Sequence, residues 1–307
     1  MTNASAHSGD TVEHTHIFSQ CETKEQVDPL NQPPVMLKSY PPRYPRRALE
    51  RGMEGVVLVE FDVDVGGKVI NPKVIWSENV LFNPIALKSA SSSIYKPALE
   101  NGKPRLSKGR IQNITFLLEG NENTLNLGKE FDKIVRRVQT GLRTGKVEKP
   151  IKKIDSLLVR EDLDKLTRAG LLYLKAMSLY KIKAPNKEIM NLLIESKQHQ
   201  DKGITSMKMQ TFGGILLGQM YLDESNYQKA EEELSEAILA SRGSGLKSQR
   251  FYQAYLQLGL ASYNQQKWCL ASKSWEKAKI LANEYQITFP EQLAEPVEYA
   301  QSKNSNE

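Results

Sequence analysis

Tyr44-Pro45-Arg46-Arg47-Ala48-Leu49-Glu50-Arg51-Gly52-Met53-Glu54-Gly55-Val56-Val57-Leu58-Val59-Glu60-Phe61 decides the fold of the first part of the chain. Pro45 suits the first position of a short helix, where its missing N–H costs nothing. Ala48 and Leu49 supply an inward face, and Gly52 can take the left-handed conformation that ends the turn. Val57, Val59, Phe61, Val63 and Val65 then alternate with Val56, Leu58, Glu60, Asp62 and Asp64. Period two with one face more apolar than the other reads as a half-buried antiparallel strand.

Gly66-Gly67 reads as a two-residue hairpin, and the returning strand runs from Lys68 to Ser77. Pro72 cannot donate to a ladder, so Asn71-Pro72 is expected at a bulge or an outer edge. Asn83 reads as a helix cap with Pro84 at the first helical position. Phe82 and Leu87 have the spacing of a hydrophobic staple. The helix runs through Ile85, Ala86 and Ala90 to about Ser93. After Tyr95-Lys96-Pro97 and a loop holding Gly102, Pro104 and Gly109, Ile111 to Leu118 form a third strand with Ile114, Phe116 and Leu118 on its core face. The expectation for residues 36–123 is an α+β domain, a three-stranded antiparallel sheet with two helices. Three strands cannot close on themselves, and an open edge accepts another strand.

The chain has 307 residues, enough for two domains or a domain and a repeat array. Residues 1–35 are polar, acidic and aperiodic, which predicts a disordered tail; Pro29, Pro33 and Pro34 mark where the folded part begins. His14, His16 and Cys21 lack a fourth ligand and the paired spacing of a zinc site, so no metal is expected. The net charge is +6, with the excess of Lys and Arg between Lys38 and Arg160. Without a recognition motif this charge reads as a solvated surface, and no nucleic-acid partner is expected. The two cysteines, Cys21 and Cys269, form no readable disulfide framework. No window approaches the length of apolar residues needed for a membrane span. The residues from Met1 to His7 have no basic n-region and no apolar core, so no secretory signal is expected in them.

From Phe131, Ile134, Val138 and Leu142 onward the apolar spacing becomes helical. Leu217-Gly218, Tyr221, Tyr227, Ala230, Leu234 and Ala237 are matched by a second copy, in which Leu258-Gly259, Trp268, Ala271, Trp275 and Ala278 stand at the same offsets. Gly145, Val147, Ile154 and Leu157 suggest a degenerate first repeat, and Leu171 to Ile194 another with its turn at Ala184-Pro185-Asn186. About four helix pairs are expected over residues 126–302, with a polar capping helix near Glu291–Ala300 and a short tail at 303–307. The aromatics Trp268 and Trp275 stand at core offsets and read as packing. The cations Arg136, Arg137, Arg143, Lys146, Lys149, Lys152 and Lys153 could meet an acidic partner, or simply be solvated.

Catalytic signatures are not found. There is no Gly-x-Gly-x-x-Gly, Gly-x-x-x-x-Gly-Lys or Gly-x-Ser-x-Gly segment, and His199 stands apart from the three tail histidines. No enzyme activity and no cofactor are expected.

Tyr44-Pro45, Gly52 through Gly55 into Val-x-Val-x-Phe, the Gly-Gly hairpin, Phe82 before the second helix, Tyr95-x-Pro97 and the Phe116-bearing strand together resemble the TonB C-terminal domain. The helical part resembles the tetratricopeptide repeat (TPR). The first resemblance implies a periplasmic or cell-envelope domain that captures the TonB-box peptide of an outer-membrane receptor by adding it as a strand, as energy transducers of transport across the outer membrane do. By that resemblance the docking edge is Gln112, Ile114, Phe116 and Leu118, helped by Arg43, Tyr44 and Pro45. An inner-membrane proton-channel complex would be reached through another protein, and the ligand of the repeats has no name. The alternatives are an envelope scaffold whose repeats bind the partner while the first domain is structural, and, third, a nucleic-acid binder.

Overall fold

The computed structural model describes residues 4–8, 21, 30–118, 125–244 and 249–306. The chain divides into two compact units, Met1–Glu122 with Arg242–Lys247, and Asn123–Ser241 with Ser248–Glu307. His14 and His16 lie outside the described residues, as does most of the expected tail.

In chain order the first unit contains β1 (Ala4–Ser8), β2 (Val35–Lys38), α1 (Arg46–Glu50), β3 (Gly55–Val63), β4 (Val69–Ser77), α2 (Asn83–Ser92), β5 (Ile94–Lys96), β6 (Ala98–Glu100), β7 (Lys103–Arg105) and β8 (Ser107–Leu118). The main sheet is antiparallel with four strands in the order β1-β8-β3-β4, and two small ladders pair β2 with β5 and β6 with β7. The expected three-stranded sheet is therefore corrected to four. The added strand, Ala4–Ser8, comes from the stretch expected to be a disordered tail. Its Ala-Ser-Ala-His-Ser sequence has no apolar alternation, and ladder pairing uses backbone groups that any non-proline residue supplies.

The alternation read in β3 is present: Val57, Val59, Phe61 and Val63 are buried while Leu58, Glu60 and Asp62 are half-buried. Val65 instead is 58% exposed, because the strand stops at Val63 and the chain turns. On the apolar face these side chains join Ile114 and Phe116 of β8, Ala48 of α1, Ala86 and Ala90 of α2, and Phe82 and Tyr95. Apolar burial of this kind stabilises by roughly 25 cal/mol per Å2 and fixes which face of each strand turns inward.

Local chemistry sets the connections. Gly52 takes φ +61°, its N–H reaches the Leu49 carbonyl at 3.0 Å, and the Met53 N–H reaches that of Ala48 at 2.9 Å. These two hydrogen bonds close α1 with the left-handed cap expected for a glycine. Pro45 sits one residue earlier than expected, at the N-cap. Likewise α2 is preceded by a 3-10 turn whose cap is Asn79, not Asn83. The β3–β4 hairpin is wider than two residues. Asp64 accepts the Gly67 N–H at 3.0 Å and bonds through its own N–H to Lys68 at 2.9 Å, leaving Gly67 left-handed at φ +79°.

Asp62 ties three strands together. On β4, Asn71-Pro72 forms the expected bulge, with Asn71 at φ +53°. On β8, Lys108-Gly109 forms a second, with Gly109 at φ +68°. The Asp62 carboxylate on β3 accepts from Asn71 Nδ2 at 3.0 Å and from the Gly109 N–H at 2.9 Å. The Asn71 bond and then the Gly109 bond hold its pKa below the ordinary 3.8. In the sequence this residue is only one polar position of the alternating strand; in the structure it bridges both bulges.

The second unit holds nine helices among the described residues: α3 (Asp132–Thr144), α4 (Glu148–Leu158), α5 (Lys165–Lys181), α6 (Asn186–Gln198), α7 (Ile204–Asp223), α8 (Tyr227–Ser244), α9 (Arg250–Asn264), α10 (Trp268–Glu284) and α11 (Ala294–Asn306). The repeated Leu-Gly pair has a physical role. A Cβ at Gly218 would stand 2.4 Å from Leu234 of α8, and one at Gly259 would stand 2.3 Å from Trp275 of α10. In both copies glycine lets one helix press against the bulky residue of the next, the pattern that the sequence offsets display. Trp275 is fully buried and its indole N–H donates to the Leu256 carbonyl at 3.1 Å.

Two expectations follow for stability. Gly67→Ala should cost more than about 2 kcal/mol, because its Cβ would lie 1.9 Å from the Tyr95 carbonyl oxygen. Gly52→Ala, with nothing within 4 Å of that position, should cost only the left-handed backbone term of about 1 kcal/mol. Amide exchange in β3 under native conditions measures both; equal losses would contradict the assignment. Asp62, with its pKa depressed, stabilises the sheet fully above the ordinary 3.8 and loses that contribution as pH falls through its folded value. A carbon-detected titration should therefore find its midpoint below 3.8, and Asp62→Asn should lower stability at neutral pH with a gap that closes on acidification.

Candidate functional site

An antiparallel strand has two rows of main-chain hydrogen-bonding groups, and β8 meets a different partner on each. Its inner side faces β3, in a register that sets Gly55 opposite Phe116, Val57 opposite Ile114 and Val59 opposite Gln112. Its outer side faces β1, with Ala4 opposite Leu118, Ala6 opposite Phe116 and Ser8 opposite Ile114. Ile114, Phe116 and Leu118 of the expected docking edge thus lie alongside Ala4–Ser8. Gln112 lies beyond the last β1–β8 pair.

The opposite margin of the sheet is built differently. β4 carries Pro72 and the Asn71 bulge, and its Lys73 is paired with Glu60 at 2.8 Å. Proline, a bulge and a charge on an edge each discourage a further strand. β8 is longer, with 12 residues and no proline, and its outer edge takes a strand.

Ile114 and Phe116 are fully buried and paired with Val57 and Gly55 of β3, so the main-chain groups turned toward an outer strand are those of the alternate residues Thr115 and Leu117, opposite His7 and Ser5. Leu118, expected on the core face, is half-buried at the strand's end, where its N–H donates to Glu54 Oε1 at 2.9 Å. Gln112 is 5% exposed, and its side-chain amide has no hydrogen-bond partner among the described residues. An orphaned buried amide is costly and rare.

Tyr44 braces this strand from the core. Its ring stands edge-on to Phe116 at 5.7 Å and to Phe82 at 5.9 Å, while Phe82 and Phe116 stack at 4.4 Å. Its hydroxyl donates to the Met53 carbonyl. Burial first, and the charge of Glu54 second, push the phenol above its ordinary pKa, so it stays a neutral donor. Arg43 is exposed and Pro45 half-buried at the α1 cap. Of these three residues, Tyr44 is the one with a ring contact to β8. The arrangement supplies main-chain donors and acceptors along an edge held in place by an aromatic cluster. Among the described residues no group of three or more His, Cys, Asp or Glu could hold a metal ion.

The sequence reading missed β1 because strand pairing by backbone leaves no side-chain pattern. It also missed β6 and β7, although Asn101-Gly102 carried the signal: φ is +51° and +74°, as a tight hairpin turn demands.

Residues 40–118 match the family model described as Gram-negative bacterial TonB protein C-terminal. The matched span includes α1, β3, β4, α2 and β5 through β8, and leaves β1 outside it. No curated protein matches the chain. No helix among the described residues is long and apolar enough to cross a membrane. In β3, β4, β8 and both of its helices, the first unit is thus similar to the C-terminal domain of the TonB protein.

Proposed function

We propose that the first unit is a peptide-docking module of TonB-dependent envelope transport, which takes the TonB-box peptide of an outer-membrane receptor as an antiparallel strand on β8. The observation that carries this reading is the outer edge of β8, which receives Ala4–Ser8 in register. An edge that pairs with one short segment through backbone groups can pair with another of similar length. The incoming peptide would replace β1, so the chain's own N-terminal segment acts as a displaceable occupant. In this reading the helical unit, with its TPR-like pairs, holds a second envelope component, and the protein binds rather than catalyses.

A second reading is favoured by the same contact. If β1 is a permanent strand, the edge is closed, the first unit is a structural adaptor and the helical unit does the binding.

Fluorescence anisotropy with a labelled TonB-box peptide separates the two. Competition reduces the apparent affinity by the fraction of chains whose edge is free. Removing residues 2–8 should therefore tighten binding by at least about tenfold. Equal affinity with and without residues 2–8 would overturn the exchange of strands. No binding to the full chain, whatever the shortened form does, would leave the adaptor reading.

A further inference from the structure

The α3–α4 hairpin of the second unit encloses a groove of about 650 Å3. Its floor is apolar and buried, formed by Ile134, Gly141 and Pro150. Its rim is cationic and exposed: Lys133, Arg136 and Arg137 come from α3, Lys146 from the turn, and Lys149 and Lys153 from α4. No carboxylate lines it, and among the described residues none of these six cations is ion-paired.

The backbone gathers these charges. Gly145, at φ +78°, ends α3 with its N–H on the Gly141 carbonyl at 2.7 Å. Gly141 has no side chain to hold off the returning chain, where a Cβ would meet the Lys146 carbonyl oxygen at 2.7 Å. The tight reversal sets the basic stretches of both helices around one floor. Lys133 and Arg137, and again Lys149 and Lys153, stand at the i,i+4 spacing where like charges repel. Such a cluster weakens the isolated helices and contributes nothing to the core.

We propose that this groove binds an acidic peptide segment of a partner protein, with an apolar residue of that segment seated on the floor. Charge complementarity selects the partner, and the shape selects its form. From Lys133 to Thr144 the groove follows α3 for roughly 16 Å, a length matched by about five residues of extended chain. A lone phosphate would need donors converging on one point, whereas these cations run in two rows. A flat bilayer would meet the rim and leave the concave floor empty. The planar guanidinium groups of Arg136 and Arg137 suit two-point contact with carboxylates.

The full chain can be titrated with a labelled peptide of glutamates surrounding a central Leu-Phe pair. Two companion peptides replace the glutamates by glutamine or the Leu-Phe pair by glycine, and phosphatidylglycerol vesicles form a fourth arm. The acidic Leu-Phe peptide should bind at least about tenfold more tightly than either companion. Arg137→Gln combined with Lys153→Gln should lose at least about tenfold, with circular dichroism and thermal unfolding undiminished because both side chains are exposed. Equal binding by the double variant would overturn the site. Equal binding by the glycine companion would reduce it to ionic adsorption without a seat. Vesicles that displace the peptide and depend on the same two residues would assign the groove to anionic lipid instead.

Discussion

Main-chain N–H and C=O groups on both sides of a strand demand partners, and β8 is where that demand shapes the molecule. With β3 on one side, its outer row would face solvent or be covered; here Ala4–Ser8 covers it in antiparallel register. The other margin solves the same problem with Pro72, a bulge and an ion pair at Lys73. One edge is blunted by features of the strand itself. The other is satisfied by five residues of the same chain, which the proposed function has exchanged for another strand. The asymmetry between a permanent and a replaceable cover is the physical basis of the docking function proposed for this unit.

For exchange to occur without unfolding, β8 must be held from its other sides. Two devices do this. Phe116 is clasped by Phe82 and Tyr44 in the core, and Tyr44 is itself fixed by its bond to the Met53 carbonyl beyond the α1 cap. At the far end, Asp62 bonds the Gly109 bulge and the Asn71 bulge together. In the proposed exchange the inner ladder to β3 between these anchors would stay in place. The stretch from Tyr44 to Phe61 therefore organises the unit for a reason more specific than its own helix and strand: its first residue, Tyr44, and the residue just after it, Asp62, brace β8.

Much of this was legible from side chains. The alternation of β3, the proline-marked bulge, the glycine cap of α1 and the core face at Ile114 and Phe116 all depend on residue type, and residue type is what a sequence records. The Leu-Gly pairs that predicted close helix contacts at Gly218 and Gly259 belong to the same class. What escaped depends on backbone alone or on distant pairing. β1 has no apolar signature. Asp62 is, in the sequence, one polar position of an alternating strand; only the two bulges place donors on both sides of it. The basic groove of the α3–α4 hairpin was visible as a charge cluster, but its apolar floor required knowing how tightly Gly141 and Gly145 reverse the chain.

The central claim is that the outer row of β8 is covered by a displaceable strand. Amide exchange at Thr115 and Leu117, the β8 residues opposite His7 and Ser5, compared between the full chain, a chain lacking residues 2–8, and that shortened chain saturated with a TonB-box peptide, tests it directly. Protection that is present in the full chain, lost on removal of β1 and restored by the peptide is the predicted result. Protection that does not change when β1 is removed, or that the peptide fails to restore, would contradict it.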